Sequence, residues 1–258
     1  MAAAAQRPKL VVIVGPTASG KSELAMRVAE EFNGEIITAD SRTIYKGMDI
    51  GTAKPTKQDR AKAKHWGLDL LEPGQRFTAY QFKRYAVNTI SDIQGRGKLP
   101  ILVGGTGLYV NCVIFNYQFE PDAERDPLNP RHRLKKQQED SQLIPGSLIV
   151  GLTADRPILE NRIKERVQAM INEGLIDEVK SLTKKYPIEL EAFKAPGYQP
   201  FLQYIGSQVN LSEATSSFIQ GDLKLAKKQK TWFKRNKFIH WFEGPETAFE
   251  YIKTQLNT

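Results

Sequence analysis

The sequence predicts an α/β fold, a parallel sheet flanked by helices, and three observations predict it. Short apolar runs recur at residues 9–14, 35–39, 98–103 and 147–152, with the length and composition of buried strands. Segments with apolar residues at helical spacing lie between them, so strand and helix alternate. The first strand (KLVVIV) runs directly into Gly15-Pro16-Thr17-Ala18-Ser19-Gly20-Lys21-Ser22, which fits G-x-x-x-x-G-K-[ST]. Strand, glycine loop and helix in that order narrow the fold to a P-loop, nucleotide-kinase-like sheet. At 258 residues the chain suits one such domain spanning residues 1–258, long enough to bury a proper core.

In the phosphate loop, Gly15 and Gly20 let the backbone turn tightly, so that successive N–H groups face one anion. The following helix adds its N-terminal dipole, Lys21 a full positive charge, and Ser22 a hydroxyl able to ligate Mg²⁺. Leu24, Ala25, Val28, Ala29 and Phe32 mark the buried face of that helix, with Asn33-Gly34 as its stop. A bound diphosphate or triphosphate is expected, and the loop does not say which compound carries it.

The second strand ends at Asp40. Ligands of doubly wound sheets lie beyond the carboxyl ends of the strands, which puts Asp40 where it can accept a proton or help hold a metal. Capping a turn is the other reading of an Asp-Ser pair. Residues 41–55 form an aperiodic loop across the site, in which Arg42, Lys46 and Lys54 are either anion contacts or solvated charges. Residues 57–64 read as a charged helix and 65–70 as a short strand or turn, with His65 a structural hydrogen-bonding residue.

Thr78 and Gln81 form a capping box opening a helix that buries Phe82, Ala86, Ile90 and Ile93 and stops at Gly95-Arg96-Gly97. The next strand ends in Gly104-Gly105-Thr106-Gly107, where an ATPase would place a metal-holding carboxylate. The glycines are expected to admit a ligand close to the backbone, and Thr106 to offer it a neutral hydroxyl. Residues 117–146 are rich in proline and charge, with a basic run at 131–136. After the strand at 147–152, Asp155-Arg156-Pro157 starts a helix whose stripe is Leu159, Ile163, Arg166 and Met170. Arg166 stands where an apolar residue belongs and needs an anionic partner. A salt bridge within the protein and a clamp on bound diphosphate both satisfy that need. Residues 175–185 continue as a helix and 195–199 as a loop. A long helix at 212–237 carries Lys224, Lys227, Lys228, Lys230, Lys234, Arg235 and Lys237 beside Trp232 and Phe233. Cations beside aromatics suit a nucleic-acid backbone and its bases, or else a solvated face over a packed one. A strand at 238–242 and an amphipathic helix close the chain.

Composition narrows the function classes. The net charge of +8 favours a polyanionic partner. The single cysteine, Cys112, excludes an internal disulfide and reads as a buried thiol in YVNCVIF, and three scattered histidines add no zinc site. No apolar run approaches a membrane span and the N-terminus lacks a signal-peptide core, so a cytoplasmic protein with no membrane partner is expected, as a monomer.

GPTASGKS, ADSRTIYKGMDIGTAKP, LVGGTGLY, RIKERVQAMINEGLIDEV, PGYQ and KKQKTWFKR, in that order, resemble the tRNA dimethylallyltransferases, the tRNA isopentenyltransferase family. The likeness covers most of the chain. It implies prenyl transfer from dimethylallyl diphosphate to N6 of adenosine 37, beside the anticodon, with release of diphosphate. It further implies that residues 15–22, Lys21, Arg166 and a Mg²⁺ near Ser22 hold the diphosphate, that Thr106 hydrogen-bonds near the reacting centre, and that Asp40 accepts a hydrogen bond or the proton from the attacking amine. Asp40, Ser41, Arg42, Thr43, Thr106, Gly197, Tyr198 and Gln199 match tRNA-contacting positions, although a basic residue usually stands where Gln199 does. The helical insertion that grips the anticodon stem in the family is too long for residues 117–146. That region reads as a shortened insertion, and Arg131, Lys227 and Lys228 are left to carry RNA binding. The alternatives are prenyl transfer to free adenine nucleotides, a non-catalytic RNA-binding module and, least favoured, a small-molecule kinase.

Overall fold

The structure is a computed structural model and describes residues 9–119 and 143–257. Its strands β1 (Leu10–Val14), β2 (Gly34–Thr38), β3 (His65–Trp66), β4 (Leu99–Gly104), β5 (Ser147–Thr153) and β6 (His240–Glu243) form one sheet. The order is β3-β2-β4-β1-β5-β6 and every pairing is parallel. β1 lies inside the sheet, with Val12 opposite Leu102 on one side and Ile149 on the other. Its residues are all buried because both faces of the sheet are covered. Leu10, Val12 and Val14 enter one core, while Val11 and Ile13 enter another, as the two-residue period of a strand requires. Each such side chain contributes about 1.5–3 kcal/mol relative to an exposed one.

Helices α1 (Lys21–Glu31) and α9 (Pro245–Asn257) cover one face, and α3 (Ala79–Gly95) and α4 (Gly107–Ile114) the other. A third core lies outside the sheet. There α5 (Arg156–Asn172), α6 (Leu175–Thr183), α7 (Gln199–Ile205) and α8 (Leu211–Phe233) pack with Ile44, Tyr45 and Met48 of the loop after β2. The short helix α2 (Lys57–Lys62) precedes β3. These helices form the second wall of the cleft described below.

Most expected elements are present, including the box in which Thr78 Oγ1 accepts from Gln81 N–H and Gln81 Oε1 from Thr78 N–H. Three boundaries differ. Asn33, at φ 50°, makes the turn after α1, and Gly34 opens β2, where a Cβ would lie 2.7 Å from Ile101 Cδ1. The basic helix ends at Phe233, so Lys234, Arg235 and Lys237 follow it rather than extend it. The segments at 107–114 and 199–205 are helices that no hydrophobic stripe announced; α4 buries Tyr109, Val110, Cys112, Val113 and Ile114 with little amphipathic contrast.

Glu35 brings a charge into the edge of this core. Its carboxylate accepts from Arg96 at 2.5 Å, from Trp66 Nε1 at 2.8 Å, and pairs with Lys98. Those partners, Arg96 foremost, hold its pKa down at about 2 against the effect of burial.

Candidate active site

A cleft of about 420 Å³ opens beyond the carboxyl ends of the strands, between the phosphate loop and the helical wall. The loop joins β1 to α1 with Gly15, Ala18 and Gly20 at φ 143°, 61° and 95°. Lys21 Nζ folds back to donate to Pro16 O at 2.6 Å. Thr17 N–H donates to Gln229 Oε1 of α8 at 2.8 Å, tying the loop to the far wall. Ser19 Oγ is buried with no protein partner, a donor that a bound phosphate oxygen would satisfy. Lys21 has its pKa lowered to about 8, by burial first and then by the charge of Arg166, with Asp40 opposing both. An anion placed in this loop would relieve both costs.

The ends of β2 and β4 supply the next wall. Asp40 Oδ1 accepts from Arg42 N–H at 2.8 Å, a local turn that fixes the carboxylate. Thr106 Oγ1 accepts from Ser41 N–H at 3.0 Å, and Thr106 N–H donates to Ala39 O at 3.2 Å. Thr106 therefore stitches the Asp40 segment to the end of β4. The cleft wall at this turn consists of Gly104 and Gly105.

These glycines have a use besides the one expected of them. A Cβ on Gly104 would lie 2.1 Å from Ala39 O, one on Gly105 2.1 Å from Gln229 Nε2, and one on Gly107 2.2 Å from the Trp232 indole. They make room for the chain's own neighbours.

The helical wall contributes Arg166 from α5 and Asp222 and Gln229 from α8. Arg166 Nη2 donates to Asp222 Oδ2, so the salt bridge exists, and Arg166 also lines the cleft with Lys21. Its Nε is buried without a partner. Asp222 is 5 % exposed, and burial raises its pKa against the pull of Arg166. Sequence reading passed over Asp222 and Gln229. Phe218, Asp222, Leu225 and Gln229 nevertheless fall on one helical stripe, the same signal that singled out Arg166.

The remaining predicted residues divide. Arg42 and Thr43 line the cleft; Arg42 Nη1 donates to Glu191 O, and Thr43 Oγ1 is buried and unpartnered. Gly197 lines it as well. Tyr198 turns away from the cleft: its side chain is fully buried in the helical core and its hydroxyl donates to Glu178 Oε1 at 2.7 Å. Gln199 is exposed at the start of α7, and Lys227 and Lys228 are exposed on α8. Arg131 lies outside the described residues. Lys54 is structural, its buried ammonium paired with Asp49 at 2.5 Å and Asp69 at 2.7 Å, and Lys46 pairs with Glu72 on the surface. Burial pushes the Cys112 thiol up to about 12, as suits an inert residue.

Among the described residues no cluster of three or more histidine, cysteine or acidic side chains could hold a metal by itself. The oxygens at hand, the exposed Ser22 hydroxyl and the Asp40 carboxylate, fit a Mg²⁺ that arrives with phosphate oxygens of its own. None of the helices among the described residues is long and apolar enough to cross a membrane.

Comparison with known proteins gives one answer. The family model described as IPP transferase matches residues 43–145 and 128–236. A tRNA dimethylallyltransferase of Geobacillus thermodenitrificans is 36% identical, over 96% of this chain and 97% of the relative. Another, of Carboxydothermus hydrogenoformans, is 36% identical over 97% and 96%. The crystal structure of a tRNA delta(2)-isopentenylpyrophosphate transferase from Staphylococcus epidermidis superposes with a TM-score of 0.84 at 32% identity, covering 97% of this chain and 99% of that one. A tRNA isopentenylpyrophosphate transferase from Bacillus halodurans gives 0.81 at 31% identity, covering 97% of each. The Geobacillus alignment runs over 306 positions against 258 residues here, so at least 48 positions of the relative have no counterpart in this chain.

Proposed function

The chain belongs to the IPP transferase family, and from that premise we propose that it transfers a dimethylallyl group from dimethylallyl diphosphate to N6 of adenosine 37 in tRNA. The observation that carries this reading is the convergence of the phosphate loop, Lys21, Arg166 and Asp40 on one cleft. The adenine N6 lone pair forms a bond to C1 of the dimethylallyl group as the C1–O bond breaks, and diphosphate leaves with the electron pair. Loop amides, Lys21 and Arg166 stabilise the charge that develops on the leaving group. Mg²⁺ held with Ser22 would neutralise part of the same charge. Asp40, steadied by Arg42 N–H, accepts the proton that N6 loses. Reaching this cleft requires the base to leave its stack. Arg42 and Thr43 supply a cation and a hydroxyl in the cleft, and the exposed Lys227 and Lys228 add positive charge elsewhere on α8 for an RNA backbone.

The absent positions favour a second reading, prenyl transfer to free adenine nucleotides, because a shortened insertion has less surface for the anticodon stem. One experiment separates the two. Labelled dimethylallyl diphosphate and Mg²⁺ are offered with an anticodon stem-loop or with AMP, to the natural chain and to Asp40→Ala. Label on the stem-loop alone, lost in the variant, establishes the tRNA enzyme; label on AMP alone establishes the second reading. A folded chain that labels neither overturns both.

A further inference from the structure

Asp222 has no part in the reaction above, and at first sight it works against it. A buried carboxylate beside an anion site repels the anion, and it occupies the arginine that the diphosphate needs. The arrangement around Arg166 gives it a use. Arg166 and Lys21 line the same cleft and repel each other. A guanidinium on a flexible stem beside another cation has every reason to swing out to solvent. Asp222 sits on α8, whose inner stripe also holds the phosphate loop through Gln229, so its carboxylate is fixed relative to the loop. It takes one corner of the planar fork, Nη2, and leaves Nε buried and unpartnered.

We propose that Asp222 is a positioning residue: it holds Arg166 in the cleft with donors free for the diphosphate, and acts on the ligand only through Arg166. This rests on the reading of the cleft as a diphosphate site.

The test exploits a difference in sign. Binding of inorganic diphosphate with Mg²⁺ is measured by calorimetry for the natural chain, Asp222→Ala, Asp222→Asn, Arg166→Ala and the Arg166→Ala/Asp222→Ala double variant, each checked by thermal melting. Simple repulsion predicts that removing Asp222 tightens binding. Positioning predicts that Asp222→Ala weakens it about tenfold. In the Arg166→Ala background, where there is nothing left to hold, the same removal changes binding less than about twofold. Asp222→Asn keeps an acceptor for Nη2 and stays within about threefold of the natural chain, on the weaker side. It carries the test if the alanine variant does not fold. Unchanged or tighter binding in Asp222→Ala, tighter binding in Asp222→Asn, or an equal loss in both backgrounds, overturns the inference alone. A natural chain that melts cooperatively yet binds no diphosphate overturns the function reading, and the inference with it.

Discussion

Two glycine-rich turns meet in the cleft, each following a buried strand of the same sheet, and they use glycine for different reasons. In the loop after β1, Gly15 and Gly20 adopt φ 143° and 95°, a region of conformational space that side chains resist, and so let the backbone turn tightly at the mouth of the cleft. In the turn after β4, Gly104, Gly105 and Gly107 have ordinary φ values and are small so that Ala39, Gln229 and Trp232 can pack against them. Gly20 needs conformation alone, Gly15 needs conformation and also volume, since a Cβ there would lie 2.3 Å from Leu152 O, and the second turn needs volume alone. A glycine run in a sequence marks a close approach without saying what approaches.

The largest effect that would test this contrast comes from the charge the first turn holds. Lys21→Met is expected to lower transfer by about 10²–10³-fold while raising the melting temperature at pH 7. The folded-state pKa of Lys21 is lowered from 10.5 to about 8, so between those values the unfolded chain binds more protons and the natural chain gains stability as pH rises. The advantage of the variant is therefore greatest below about pH 8 and gone above 10.5, which urea unfolding of both chains at pH 7 and 10.5 would measure. Diphosphate affinity of the natural chain weakens as pH passes upward through about 8. A variant no more stable than the natural chain at pH 7 would remove the idea that the loop stores its lysine at a cost.

Gly104→Ala comes next. Its Cβ meets a backbone carbonyl that cannot step aside, and the expected loss is about 1–3 kcal/mol of stability. Gly20→Ala has room, its Cβ lying 3.6 Å from Pro245 Cδ, but the wrong φ, and about 1–2 kcal/mol is expected. Denaturation of the two variants side by side sharpens the comparison, and reversed magnitudes would break it. The smallest effect is that of Gln229→Leu, which frees Thr17 N–H from its anchor and should weaken diphosphate binding by about 1 kcal/mol in calorimetry.

Much of this molecule could be read before it was seen. Strands β1, β4 and β5 are largely apolar runs because both faces of the sheet are covered, and such runs are plain in one dimension. The phosphate loop was legible because its chemistry is local: eight consecutive residues carry it. Asp222 and Gln229 were not, because their meaning lies in partners 56 and 212 residues away. The orientation of Tyr198 was hidden for another reason. Its neighbour Gly197 does line the cleft, but a side chain beside a site residue can turn the other way, and this one turns into the core.

The bridge from Thr17 to Gln229 also has a consequence in time. A ribosome completes the phosphate loop 212 residues before it reaches the side chain that anchors it. At about 5–20 residues per second the emerging loop waits on the order of 10–40 s, with its motif intact and its far wall unmade. A nascent chain interrupted before α8 carries every residue of the phosphate loop without the Gln229 anchor. A diphosphate bound in this cleft would thus favour chains that have passed that point, because it binds the completed site and not the unfinished one.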